Sequence, residues 1–210
     1  MFWQTTRHSI DLALPRVMGI VNTTPDSFSD GGRHADSRSA LHHCEALLEQ
    51  GADILDIGGE SSRPGSVAVP LEEELARVLP VLKGAVRLGV PVSVDTTKAQ
   101  VMRAALDLGC DIVNDINALR TPGALEVLAA HPSCGVCLMH MRGEPKSMQA
   151  NPHYGDVVAE VLAFLRERMK CLLERGVSKE RIVLDPGIGF GKSAAHNFEL
   201  LARQRELLEA

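Results

Sequence analysis

The chain has 210 residues, 45% of them hydrophobic, and a formal net charge of -5, enough for a single domain over residues 1–210 with a sizeable core. Aromatics are only 3%, so that core is expected to rest on Leu, Val, Ile, Ala and Met, and the lack of a Lys/Arg cluster argues against a nucleic-acid partner. No run approaches the roughly 18 apolar residues of a membrane span, and residues 1–14 hold no continuous signal-peptide core, so the expectation is a cytoplasmic protein with no membrane partner.

In chain order, a small strand is expected at Ser9 to Leu12. The apolar run Val17 to Val21 then reads as a buried strand that delivers a polar loop, NTTPDSFSDGG, rich in hydroxyls and carboxylates. The helix after it takes Asp36 or Ser37 as cap, sets Ala40, Leu41, Cys44, Leu47 and Leu48 on one face, and stops at Gly51. Ile54 to Ile57 is the second strand, followed by the loop GGESSRPGS. A helical pattern of Leu75, Val78, Leu79, Leu82 and Val86 then runs to Gly89, with a kink or interruption expected at Pro80.

Val92 to Val94 pairs with a helix of Val101, Ala104, Ala105 and Leu108, capped by Thr96 or Thr97. Ile112 and Val113 pair with a helix from Pro122 to Ala130, and Val136 to Met139 with one bearing Val158, Val161, Leu162, Leu165, Met169 and Leu172. Ile182 to Leu184 leads to a last helix with Phe198, Leu201 and Leu208. The five cysteines, an odd number, fit reduced thiols. Cys134 and Cys137 form a Cys-x-x-Cys, but no second pair stands at metal-ligand spacing and Cys137 falls in an apolar run, so a buried, inert thiol is expected.

Six consecutive strand-helix units with short apolar strands mean an α/β protein with a parallel sheet covered by helices. A doubly wound sheet and a (β/α)8 barrel share this pattern. The barrel is favoured because polar residues end every strand, whereas an open sheet binds at one switch point. The strands end on Asn22, on Asp56 with Glu60 beyond it, on Asp95, on Asn114 with Asp115, on His140 and on Asp185. In a barrel these would converge on one mouth, although each taken singly could cap the next turn. Asp56, between Leu55 and Ile57, reads as buried structural support. His140 fits either a residue orienting the mouth or a satisfied core histidine. The run DPGIGFGKS is a near miss of a phosphate-binding P-loop, because Pro186 stands where that motif needs Gly. Its glycines still allow close approach by a ligand, with Phe190 and Lys192 expected to be exposed for stacking and charge.

With these stretches in hand the chain resembles the dihydropteroate synthases. The resemblance rests on MGIVNTTPDSFSDGG, DIGGESSRPGS, SVDTTK, VNDI, CLMHMRGEPKSMQ and LDPGIGFGK, which occur in order along essentially the whole chain. It implies a TIM (β/α)8-type barrel in the folate pathway that binds small-molecule substrates. The reaction would join 6-hydroxymethyl-7,8-dihydropterin diphosphate to p-aminobenzoate, with Mg2+ accompanying the diphosphate and sulfonamides competing with p-aminobenzoate. By the same resemblance Asn22 is the Mg2+ and diphosphate residue, Ser62 and Arg63 lie beside the aminobenzoate and diphosphate, Asp95, Asn114 and Asp185 bind the pterin, and Phe190 walls the aminobenzoate pocket. No nucleophilic side chain is implied, since the aryl amine attacks directly.

The chain departs from the family in ending after about six of eight strand-helix units, without the family's Ser-Arg-Lys and Arg-x-His stretches. The expectation is therefore a dihydropteroate synthase by descent with weak pterin binding, poor turnover and two unpaired sheet edges, which a homodimer or another partner could cover. Two alternatives stay open: a non-catalytic pterin-binding remnant, and a pterin-dependent methyltransferase domain, which would not be expected to carry the TPDSFSDGG and GESSRPG loops.

Overall fold

The computed structural model describes residues 1–23, 33–63 and 65–209, with side chains in the first helix described from Ser37 onward. The polar loop expected at 24–32 lies outside the described residues. An antiparallel hairpin of β1 (Phe2–Gln4) and β2 (Ser9–Asp11) comes first. A parallel sheet follows, composed of β3 (Met18–Asn22), β4 (Ile54–Gly58), β5 (Val92–Asp95), β6 (Ile112–Asp115), β7 (Gly135–Met139) and β8 (Ile182–Asp185) in sequential order. Between and after these run α1 (Arg33–Glu49), α2 (Leu71–Ala85), α3 (Ala99–Asp107), α4 (Ala124–Ala130), α5 (Val157–Leu173), α6 (Ala194–Ala202) and α7 (Gln204–Leu208).

Strand order that never reverses is the winding of a (β/α)8-type barrel and not of a doubly wound sheet. Among the described residues β3 and β8 share no ladder, so the sheet is an open arc.

Register decides which residues face inward. Asn22 pairs with Gly58, Gly58 with Asp95, Asp95 with Asn114, Asn114 with Cys137, and Cys137 with Val183. Laterally paired residues of a parallel sheet share a face, and side chains alternate along each strand. The alternate positions Val21, Leu55, Ile57, Val94, Val113 and Leu138 are therefore all outward, and they pack with the helices into the main core. The inward set at the N-terminal ends, Ile54, Ile112, Cys137, Met18 and Val183, instead meets Trp3 and Ile10 of the hairpin. Trp3 is buried and its Nε1 donates to Arg181 O at 2.9 Å. The hairpin lies so close that a Cβ at Gly135 would stand 3.0 Å from Trp3 Nε1. It closes the floor of the arc.

Several local expectations are corrected. Asp36 and Ser37 lie inside α1, which starts at Arg33, so neither is its cap. α2 runs unbroken through Pro80 and ends at Ala85, four residues short of Gly89; its buried stripe of Glu74, Val78, Val81, Leu82 and Ala85 anchors the helix on both sides of the proline. α3 starts at Ala99 with Lys98 as N-cap and no side-chain cap, because Thr96 donates to Glu74 and accepts from Lys98 N instead. The last helical stretch is two helices, and its buried residue is Leu200, while Phe198 and Leu201 are exposed. β1 was not anticipated, since three residues are too few to establish a period. Cys134 and Cys137 are both buried free thiols, and burial pushes each above the usual thiol range.

Candidate active site

The C-terminal ends of the inward-facing rows open on a cavity of about 380 Å³. Asn22, Ser62, Arg63, Asp95, Asn114, Asp185 and Phe190 all line it. The seven positions come from the ends of β3, β5, β6 and β8 and the loops after β4 and β8, so the parallel register is what gathers them. Gly58 contributes by having no side chain: it pairs with Asp95, and a Cβ there would already touch Asp95 Cβ at 3.4 Å. Ile116 and Met139 also line the cavity, and with Met141, Met148 and Phe190 they form an apolar wall. One side of the cavity is thus flat and greasy, and the other acidic.

The acidic side is tightly organised. Asn114 Nδ2 donates to Asp56 Oδ2 at 2.9 Å, which uses one of the amide's two N–H donors inside the protein and leaves its carbonyl oxygen for a ligand. Asp185 Oδ1 accepts from Gly187 N at 2.7 Å. Burial raises Asp56 above the usual carboxylate range, while a nearby Ser93 hydroxyl and Asn114 pull the other way. The Ser93 approach falls short of a formed bond, since Asp56 Oδ1 and Ser93 Oγ are both buried without a partner. Asp95 is raised further, first by burial and then by the charges of Asp56, Asp115, Glu74 and Glu60. Asp185 is raised by burial, against its bond from Gly187 and the field of Lys192. Asp115, behind the wall, is pushed up to about 6 by burial and holds the turn after β6 by accepting from Asn117 N and Leu119 N, both at 2.7 Å. Such a pocket favours a ligand rich in N–H donors, which reward the ionisation of carboxyls that burial disfavours.

Lys192 corrects an expectation. It is buried rather than exposed, because backbone carbonyls from two loops converge on its ammonium: Gly187 O at 2.8 Å, Phe190 O at 3.0 Å and His140 O at 3.2 Å. His140 Nδ1 lies 3.0 Å from the same nitrogen. Burial, with the charge of Lys192 second, lowers His140 to about 3, so the ring is neutral and Nδ1 accepts. Lys192 itself falls to about 8, mainly through burial. His140 is therefore a core histidine beneath the mouth, packed edge-on against Phe164 at 5.0 Å.

Comparison with known proteins now bears on this geometry. A family profile described as pterin binding enzyme matches residues 18–210. A dihydropteroate synthase of Neisseria meningitidis serogroup C is 51% identical over 208 residues, 98% of this chain and 74% of the relative. The chain belongs to the dihydropteroate synthase family. A dihydropteroate synthase of Xanthomonas albilineans, solved with 4-aminobenzoic acid, superposes with a TM-score of 0.91 at 50% identity, covering all of this chain and 75% of the other. That of Burkholderia cenocepacia, solved with 7,8-dihydropteroate, gives 0.87 at 46% identity over 98% of this chain and 70% of the other.

For this member of the dihydropteroate synthases, sequence reasoning set Asp56 among the strand ends meeting at the mouth, as structural support, and did not place Ile116 or Met139 on the cavity. The period-two count from Asn114 could have found Ile116, two residues on, whereas the place of Met139 depends on its pairing with Asp185, which only the folded sheet sets.

Proposed function

We propose that this chain joins 6-hydroxymethyl-7,8-dihydropterin diphosphate to p-aminobenzoate, giving 7,8-dihydropteroate and pyrophosphate. One observation carries the reading: Asp95, Asn114 and Asp185, brought from three strands, offer acceptors to a single cavity that also has an apolar wall. A pterin is the matching shape, a flat bicycle with adjacent N–H donors on its pyrimidine edge. Asp185 accepts two of them in parallel, Asp95 and the Asn114 carbonyl take the others, and Met139 and Ile116 cover a ring face. An analogue without those donors would leave buried acceptors unpaired, which is the source of selectivity.

In the reaction the aryl amine lone pair forms the N–C bond as the C–O bond to the diphosphate breaks. Pyrophosphate leaves with the bonding pair, and the new nitrogen sheds one proton. No protein nucleophile takes part. Ser62 and Arg63 meet the negative charge that builds on the leaving oxygen, while Phe190 orients the aminobenzoate ring.

Mg2+ fits the donor chemistry at the rim. The ion takes few protein oxygens and completes its shell with phosphates and water. Asn22 offers one amide oxygen, and no group of three His, Cys, Asp or Glu among the described residues could hold a metal unaided. Asn22 would therefore hold Mg2+ jointly with the diphosphate, and the bound ion would neutralise charge on the leaving group.

Incubating the chain with Mg2+, the pterin diphosphate and radiolabelled p-aminobenzoate should give labelled dihydropteroate and pyrophosphate in equal amounts. Saturable pterin binding without pyrophosphate release would instead mark a binding module. Absence of pterin binding would remove the reading altogether.

A further inference from the structure

An ionic cluster beside the cavity has no part in the chemistry above. Glu74, in the first turn of α2, is fully buried. One of its oxygens accepts from Thr96 Oγ1 at 2.5 Å and the other from Lys98 Nζ. The same ammonium donates to Glu60 Oε2, which also accepts from Val69 N at 3.3 Å. Two carboxylates thus share one cation that is itself mostly out of water. Desolvation makes such a cluster a poor source of stability, and an apolar set of equal volume would serve the core as well. What it fixes is position.

Two of its members adjoin the site. Thr96 directly follows Asp95, and Glu60 directly precedes Ser61, Ser62 and Arg63. The same loop is seated on α2 one turn further on, where Arg77 Nη1 donates to Gly59 O at 2.8 Å. Gly59 itself could bear no side chain, since a Cβ would stand 2.7 Å from Val78 Cγ1.

We infer that Lys98 is a positioning residue: by bridging Glu60 to Glu74 it sets the distance between the segment Ser61–Arg63 and the end of β5, and so aligns the leaving-group side of the cavity with the pterin side. The identity of the two ligands rests on the proposed function; the strut does not. In ligand-free full chain, Lys98→Met should speed amide hydrogen exchange at 59–63 by roughly tenfold while the amides of β4 and β6 keep their protection. With Mg2+ present, pyrophosphate affinity should fall by roughly ten- to a hundredfold and 6-hydroxymethyl-7,8-dihydropterin affinity by less than about twofold, since misplacement by an ångström is enough for a loss of that size. Lys98→Arg, which keeps a donor able to reach both carboxylates, should recover most of both effects.

Unchanged exchange at 59–63 would overturn the inference. So would a parallel fall in both affinities together with a lowered melting temperature, the pattern of general destabilisation. A wild-type chain that binds neither probe would overturn the functional reading instead, and the exchange data would then decide the role of Lys98 alone.

Discussion

Asp185, proposed to hold the pterin, has one bond already made, the 2.7 Å contact from Gly187 N to Oδ1. Asn in its place can keep that bond through its own carbonyl, but it then turns an NH2 toward a ligand edge that is itself made of donors. Asp185→Asn should weaken pterin binding by about 2–4 kcal/mol, two charge-assisted bonds partly compensated by water, and calorimetry of wild type against variant would measure it. The raised carboxyls give the pH dependence its sign. Burial holds Asp95 and Asp185 above the ordinary carboxylate range, and the N–H donors of a pterin would favour the ionised form. Binding therefore releases protons in that window, and affinity should climb with pH above the ordinary carboxylate range and then level off. Part of the climb should vanish in Asp185→Asn. An affinity that declines over the same interval would contradict the assignment. The cavity-lining positions Asp95, Asn114 and Asp185 were legible because each stands at or beside the end of an apolar strand. Lys192 was not: a lysine in a glycine-rich run looks solvated, and its burial depends on carbonyls from His140, Gly187 and Phe190 that only the folded chain brings together.

At the scale of an element, the loop after β8 owes its shape to glycine. Gly187 and Gly191 have φ of 66° and 63°, and a Cβ on them would lie 2.1 Å from His140 O and 2.4 Å from Arg142 O. The loop lies directly on the backbone that follows β7. Gly187→Ala should cost more than about 2 kcal/mol, the left-handed penalty plus a clash that backbone cannot yield to, as read by urea denaturation. Because Phe190 N donates to Gly187 O at 3.1 Å, the same change should shift Phe190 on the cavity wall and, on the proposed assignment, show as a weaker aminobenzoate affinity. Elements of four or more residues with a clear apolar period were recognisable from sequence. The starts of α1 and α3 were not. Thr96 shows why: its hydroxyl has a second use, donating to buried Glu74, that no local pattern announces.

For the whole molecule, the inward-facing row has two different ends, a polar rim that gathers the candidate site and an apolar floor sealed by the hairpin. The rim followed from strand order, but the floor did not, because its cover comes from a segment of three-residue strands at the chain's beginning. Trp3→Ala removes the largest piece of that cover and the bond to Arg181 O, and a loss of about 3–5 kcal/mol in unfolding free energy is expected from urea titration. The site itself, at the opposite end of the strands, should keep its pterin affinity under conditions where the variant remains folded.

The chain's lone tryptophan and lone tyrosine are Trp3 and Tyr154, and Tyr154 Oη donates to Gly191 O at 2.8 Å just below the rim. Nature has in effect placed one chromophore at each pole. Indole emission, read in ligand-free protein, should follow undocking of the amino-terminal hairpin. The emission of that single indole thus tells, on unlabelled protein, whether the end of the molecule away from the mouth is still sealed.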